Sequence, residues 1–205
     1  MSLARALWAE NADLAAAALE HPFVQGIADG TLPTASFAGY VAQDAFFLEA
    51  FARAYALGVA HSPDRATLDA FADLLAGVRE ELRLHASYAA RWGIDLAAVE
   101  PAPATLAYTD FLLATAAFGR ADVICAAMTP CMRLYAHLGQ SLAGREAETY
   151  AEWVITYADP GFEELAGTLE ALLDRSATDG PELHRAYRRA MQLEVGFFDA
   201  AWRRA

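Results

Sequence analysis

An all-α, multi-helix bundle is the expected architecture of this chain, and three features point to it. Ala, Leu, Glu and Arg dominate and β-branched residues are few. Apolar residues recur at helical spacing through almost every segment. The Pro- and Gly-containing breaks are short, so successive helices should pack as close neighbours. No segment carries the alternation of a half-buried strand.

Taken in order, residues 3–20 read as a first helix, with Leu3, Leu7, Leu14 and Ala18 on one face and Pro22 ending it. A short helix follows over residues 23–29 and stops at Gly30. The hinge Leu32-Pro33-Thr34 starts a long helix over residues 35–60. Ser62-Pro63 caps the next, which runs to Trp92-Gly93. Pro101 and Pro103 mark a loop, and residues 104–118 and 121–140 form a helical hairpin around Gly119. Residues 144–158 read as a helix that stops before Asp159-Pro160-Gly161, and residues 162–174 as another. Asp179-Gly180-Pro181 opens the last helix, which runs to about Arg204. The sum is about eight or nine helices. With no dividing linker and no fixed-period repeat, residues 1–205 read as a single domain.

The 205 residues are 56% hydrophobic, enough to fill a sizeable core. No stretch of about 18 apolar residues lacks charge, so no membrane span is expected. The start, Met1-Ser2-Leu3-Ala4-Arg5, lacks a secretory pattern, and two cysteines make no disulfide framework. A cytoplasmic protein is the expectation. Acidic side chains number 27 against 15 basic ones, all Arg, for a net charge of −12. That balance argues against nucleic acid and anionic membrane as partners, since phosphate contacts need clustered cations.

Several residues are candidates for chemistry. In the run Met128-Thr129-Pro130-Cys131, Thr129 can cap and Pro130 can open a helical turn. Cys131 would then lie in the first turn, where the helix dipole favours a thiolate. The plainer readings are a kink within a helix and a cysteine that packs as a small hydrophobe. Asp44 and Glu194 each sit in an apolar run, where a carboxylate is costly to bury unless paired or working; a solvated helix face is the alternative. Tyr135 lies four residues from Cys131 and so on the same face, and Tyr108 and Tyr157 fall on neighbouring helices, either near the thiol or as core packing. Glu81 and His85, also four apart, suit either a helix-face ion pair or part of a metal site. No His-x-Glu, Cys-x-x-Cys or His-Glu-x-x-His motif, glycine-rich phosphate loop or Gly-x-Ser-x-Gly elbow occurs. Neither a cofactor nor a metal is expected.

As an ordered set, these residues resemble the TenA (thiaminase II) family. The match runs through Gln43-Asp44-x-x-Phe47-Leu48, through Glu81-x-x-x-His85 leading into Trp92-Gly93-Ile94, and through Tyr108. It continues with Pro130-Cys131-x-x-x-Tyr135, Trp153-x-x-x-Tyr157 and Glu194-x-x-Phe197-Phe198, over nearly the whole chain. Cys131 marks the cysteine-containing branch. The resemblance implies a heme-oxygenase-like all-α fold without heme, often a homotetramer. It also implies hydrolysis at the methylene carbon of a 4-amino-5-substituted-methylpyrimidine. The usual substrate is aminomethylpyrimidine, with thiamin slower, and the product is hydroxymethylpyrimidine for thiamin salvage.

Carried over by position, Cys131 is the nucleophile that adds to an electron-poor ring carbon, and Glu194 the acid/base carboxylate. Asp44 hydrogen-bonds the ring amino group. Tyr135 and Tyr157 place hydroxyls near thiol and substrate, and Phe47, Tyr108 and Phe197 supply aromatic walls. The chemistry agrees, because a neutral pyrimidine is a poor electrophile until a ring nitrogen is protonated. Burial should raise the pKa of Glu194 and a helix start should lower that of Cys131, bringing the two together near neutral pH. The chain departs from the family at Ala45, Phe46 and Phe198, where Tyr or Trp is frequent. Two competing readings remain: a metal-dependent oxidase or oxygenase using Glu81 and His85 with further carboxylates, and a non-catalytic pyrimidine-binding regulator.

Overall fold

A computed structural model describes residues 1–145 and 147–203. Among these residues the chain forms ten α-helices, two single 3-10 turns and no strand. The helices are α1 Leu3–Glu10, α2 Ala12–Leu19, α3 Pro22–Asp29, α4 Thr34–Ala60 and α5 Arg65–Trp92, then α6 Pro103–Phe118, α7 Ala121–Leu142, α8 Ala151–Ala158, α9 Pro160–Ser176 and α10 Pro181–Trp202. None is long and apolar enough to cross a membrane.

The boundaries follow local chemistry. The Asp64 side chain accepts from Thr67 N at 2.8 Å to start α5, two residues later than Ser62. Pro stands at the start of α3, α6, α9 and α10, where its missing N–H costs nothing. Three expectations fail. The segment 3–20 is two helices, because the buried Asn11 side chain turns back to donate to the Leu7 carbonyl at 2.8 Å and interrupts the ladder. The segment 144–158 becomes helical only at Ala151, since Gly144 sits at φ 78° and a 3-10 turn intervenes. Thr129-Pro130 starts nothing: α7 runs through it. The last helix ends at Trp202, and the expected endpoint Arg204 lies outside the described residues.

The reason α7 survives an internal proline is its position. It packs against α8, α9 and α10 and also touches α2, α4 and α6. Seventeen of its 22 residues are buried. An interior Pro costs about 3 kcal/mol, and burying a single Leu- or Met-sized side chain returns roughly 1.5–3 kcal/mol. The Thr129 hydroxyl meanwhile donates to the Cys125 carbonyl at 2.7 Å. Around this axis, α4 lies against α5 and α6, and α10 closes the bundle against α6 and α7. The α7–α8 contact is closest at Gly139, where a Cβ would stand 2.4 Å from the Tyr157 carbonyl carbon. Only glycine allows that approach, and the contact sets where Tyr157 and Trp153 point.

Candidate active site

Six helices deliver the candidate residues to one buried place. Asp44 and Phe47 come from α4, Glu81 and His85 from α5, and Tyr108 from α6. Cys131 and Tyr135 come from α7, Trp153 and Tyr157 from α8, and Glu194 and Phe197 from α10. Asp44, Tyr108, Cys131, Tyr135, Tyr157, Glu194, Phe47 and Phe197 are all buried. All eight residues singled out by the sequence thus lie in the interior together.

Its centre is the pairing of Cys131 with Glu194. The Cys131 thiol and the Glu194 carboxyl act on each other's proton affinity, and the Tyr108 hydroxyl donates to Glu194 Oε1 at 2.6 Å. Burial pushes Glu194 up to about 7, while Tyr108 and Cys131 hold it down against that push. This is the direction expected for Glu194. For Cys131 the expectation is reversed. Burial, followed by the charges of Glu194, Glu81 and Asp44, raises the thiol well above its ordinary range. Mid-helix in α7, Cys131 has no free N-terminal amides to stabilise a thiolate, and three carboxyls oppose one.

A second cluster joins α4, α5 and α8. Asp44 Oδ2 and His85 Nε2 are 2.6 Å apart, with both side chains buried. His85 Nδ1 donates to the Glu81 carbonyl at 3.1 Å. A donor role at both nitrogens suits the imidazolium form of His85. Burial works against that charge, but Asp44 outweighs it and raises the pKa to about 9. The Glu81–His85 pair is therefore not the ion pair or metal pair its spacing suggested, because the imidazole is committed to Asp44. Among the described residues no group of three or more His, Cys, Asp or Glu is placed to hold a metal. The Glu81 carboxyl instead accepts from the Tyr157 hydroxyl at 2.8 Å and is pushed up to about 7 by burial, with His85 opposing.

Aromatic side chains fill the remaining walls. Phe47 packs on Tyr108 at 4.8 Å and on Phe197 at 6.0 Å between ring centroids. Tyr135 packs edge-on to Tyr157 at 4.7 Å. Tyr40 escaped sequence reasoning. It is fully buried, donates to the Tyr135 hydroxyl at 3.2 Å and accepts from Trp153 Nε1 at 3.3 Å, so it fixes two site residues at once. Its only signal was its position one helical turn before Asp44 on the same face. Gln43, beside Asp44, works structurally: its Oε1 accepts from Ala102 N and Thr105 Oγ1, at 2.8 and 2.6 Å, tying α4 to the start of α6. A narrow crevice is lined by Phe37, Tyr40, Glu81, His85, Trp153 and Tyr157.

Comparison with known proteins gives a consistent result. The chain is 36% identical over 215 aligned residues to an aminopyrimidine aminohydrolase of Halalkalibacterium halodurans, covering 98% of this chain and 96% of the relative. The structure of a TenA family transcription regulator from Silicibacter sp. TM1040 superposes with a TM-score of 0.92 at 30% identity, over 97% of this chain and 95% of that one. A protein from Shewanella denitrificans described as having a heme oxygenase-like fold superposes with a TM-score of 0.78 at 14% identity, over 99% and 93% of the two chains. The architecture is thus heme-oxygenase-like, and the profile of the TENA/THI-4/PQQC family matches residues 8–204. With nearly its whole length so matched, the chain belongs to the TENA/THI-4/PQQC family.

Proposed function

We propose that this protein is an aminopyrimidine aminohydrolase of thiamin salvage, working as one domain over residues 1–205. Its reaction converts 4-amino-5-aminomethyl-2-methylpyrimidine and water to hydroxymethylpyrimidine and ammonia, with thiamin as a second substrate. The observation that carries this reading is the buried Cys131–Glu194–Tyr108 arrangement, together with the relative of that name.

The two pKa shifts shape the mechanism. Cys131 and Glu194 share one proton, and with the thiol held well above its ordinary range and the acid at about 7, thiol plus carboxylate is the resting form. An isolated thiolate is costly in this interior, so it forms only as it attacks. Glu194 takes the thiol proton and passes it to a ring nitrogen while sulfur adds to an electron-poor ring carbon. The adduct is neutral. Its ring electron pair then expels the leaving group from the methylene, as NH3 from a protonated aminomethyl group or as neutral thiazole from thiamin, and the ring N–H proton returns to Glu194. Water adds at the exposed methylene and gives up one proton to the released ammonia or to solvent, electrons return to the ring, and sulfur departs and takes its proton back from Glu194, which ends as carboxylate. Asp44, held at one oxygen by His85, accepts from the ring amino group with the other. Phe47, Tyr108 and Phe197 sandwich the flat ring, and Tyr135 and Tyr157 orient it by their hydroxyls.

We further infer a cytoplasmic homotetramer. Phe118 and Ile155, 93% and 60% exposed, support association by leaving apolar surface uncovered. The decisive experiment is ammonia release from the aminomethylpyrimidine, run beside thiamin. Turnover separates this reading from a pyrimidine-binding regulator, and its absence with bound pyrimidine favours the regulator.

A further inference from the structure

Glu81 has no role in the mechanism just described, yet it is built into the same interior. Its carboxyl lines the crevice with Tyr40, His85, Trp153 and Tyr157. The Tyr157 hydroxyl fixes Oε1 at 2.8 Å, and that tyrosine packs directly on Tyr135, one helical turn from Cys131. The charge of Glu81 is felt at the Cys131 thiol, second only to that of Glu194 among charged neighbours. The two imidazole nitrogens of His85 bond Asp44 and the Glu81 main chain, and its charge lowers the pKa of the Glu81 carboxyl. A carboxyl held this way, in a narrow crevice with aromatic walls, matches a small cationic group on the substrate arm.

We propose that Glu81 holds the departing nitrogen, pairing with the substrate's aminomethyl group and keeping the proton on nitrogen as the C–N bond breaks. This rests on the aminohydrolase reading and adds a residue to it. The step balances in either form of the shared proton. An ammonium beside the Glu81 carboxylate, or an amine beside the carboxylic acid, leaves as NH3 with the bonding pair of the C–N bond, and Glu81 ends as carboxylate. The electron pair that fills the methylene carbon comes from the ring adduct. Expulsion of an amide ion is avoided, which is the gain from acid assistance, of order 10²–10⁴-fold. The thiazolium of thiamin differs, because it departs as a neutral ring and takes no proton. Glu81 therefore sets which leaving group the site favours.

The test compares Glu81→Gln with wild type on the two substrates. Expected is a loss of at least about 100-fold in kcat/KM for the aminomethylpyrimidine and of less than about tenfold for thiamin. The ratio of the two does not depend on how much of the variant is folded. As a second measurement, calorimetry in a Cys131→Ser background should show Glu81→Gln weakening the cationic aminomethylpyrimidine at least about tenfold, and the neutral hydroxymethylpyrimidine less than about threefold. Equal losses for both substrates and both ligands, or no loss, overturn the proposal. A wild type that releases no ammonia brings down the aminohydrolase reading along with it, whereas an active wild type with an unshifted ratio removes Glu81 alone.

Discussion

Removing one hydroxyl should move the pH dependence of this enzyme without touching the nucleophile. Tyr108 donates to Glu194 Oε1 at 2.6 Å and so favours the charged carboxylate. In Tyr108→Phe that support is lost while burial, the larger influence, remains. A hydrogen bond to a charged group contributes about 1.5–3 kcal/mol, and one pKa unit corresponds to about 1.4 kcal/mol. The Cys131 thiol still favours the charged carboxylate, so the lower end applies and Glu194 should rise from about 7 by roughly one unit. The active form carries Glu194 as carboxylate, so activity is lost as pH falls through the Glu194 pKa, and raising that pKa moves the acid limb towards alkaline pH. At pH 7 kcat/KM should drop about fivefold to tenfold and recover most of the way near pH 9. The assay is kcat/KM for the aminomethylpyrimidine from about pH 5.5 to 9.5, which reports groups of the free enzyme. A uniform loss with an unmoved limb would make Tyr108 only a wall of the site. A limb displaced towards acid pH would refute the hydrogen-bond argument itself.

The other expectations follow from the same geometry. Wild-type kcat/KM for thiamin, whose thiazole leaves without a proton, should rise through about pH 7 and then stay level past the ordinary thiol range, because burial and three carboxyls hold the Cys131 thiol far above it; a symmetric bell centred on neutrality with that substrate counts against this pair sharing one proton. Cys131→Ser should lower turnover by more than about 10³-fold while pyrimidine still binds, since an alcohol is a far weaker nucleophile. Cys125→Ser should leave kcat within about twofold and cost about 1–3 kcal/mol in denaturant unfolding, because it buries a hydroxyl outside the site. Gly139→Ala should destabilise the fold by about 1–3 kcal/mol or more, as its Cβ would meet the Tyr157 backbone at 2.4 Å; a melting temperature unchanged from wild type would refute that.

Much of the site was legible because buried acids are conspicuous in sequence. Asp44 and Glu194 stand in apolar runs that a solvated face does not explain, and both are buried in the structure at 4% and 2% exposure. Helical periodicity located most elements, since apolar burial sets the period. The failures were of two physical kinds. Where a side chain acts on its own backbone, as Asn11 does on Leu7, periodicity continues across a real break. Where tertiary burial is strong, a local break signal is overridden, as at Pro130. The partners within the site were not legible. The spacing of Glu81 and His85 suggests that they face each other, but His85 turns to Asp44, 41 residues earlier, and Glu81 to Tyr157, 76 residues later. Pairing of that range depends on how α4, α5 and α8 pack.

The misplaced helix start has a larger consequence than its boundary error. A cysteine in the first turn would be charged before substrate arrives, and the enzyme would be a store of reactive thiolate. A cysteine within α7, paired with a buried acid near pKa 7, is inert at rest. The same interior holds Asp44, already neutralised by His85, and Glu81, also near 7. Two buried acids with pKa raised to about 7 make the site receptive to positive charge. An aminomethyl group brings an ammonium and thiamin a thiazolium, and either lowers the pKa of the carboxyls it approaches. On the proposed mechanism, a cationic substrate would therefore increase the fraction of Glu194 able to take the thiol proton, and the nucleophile would be released when there is something to attack. A neutral pyrimidine such as the hydroxymethyl product lacks that charge, so its binding leaves Glu194 more protonated and the thiol at rest.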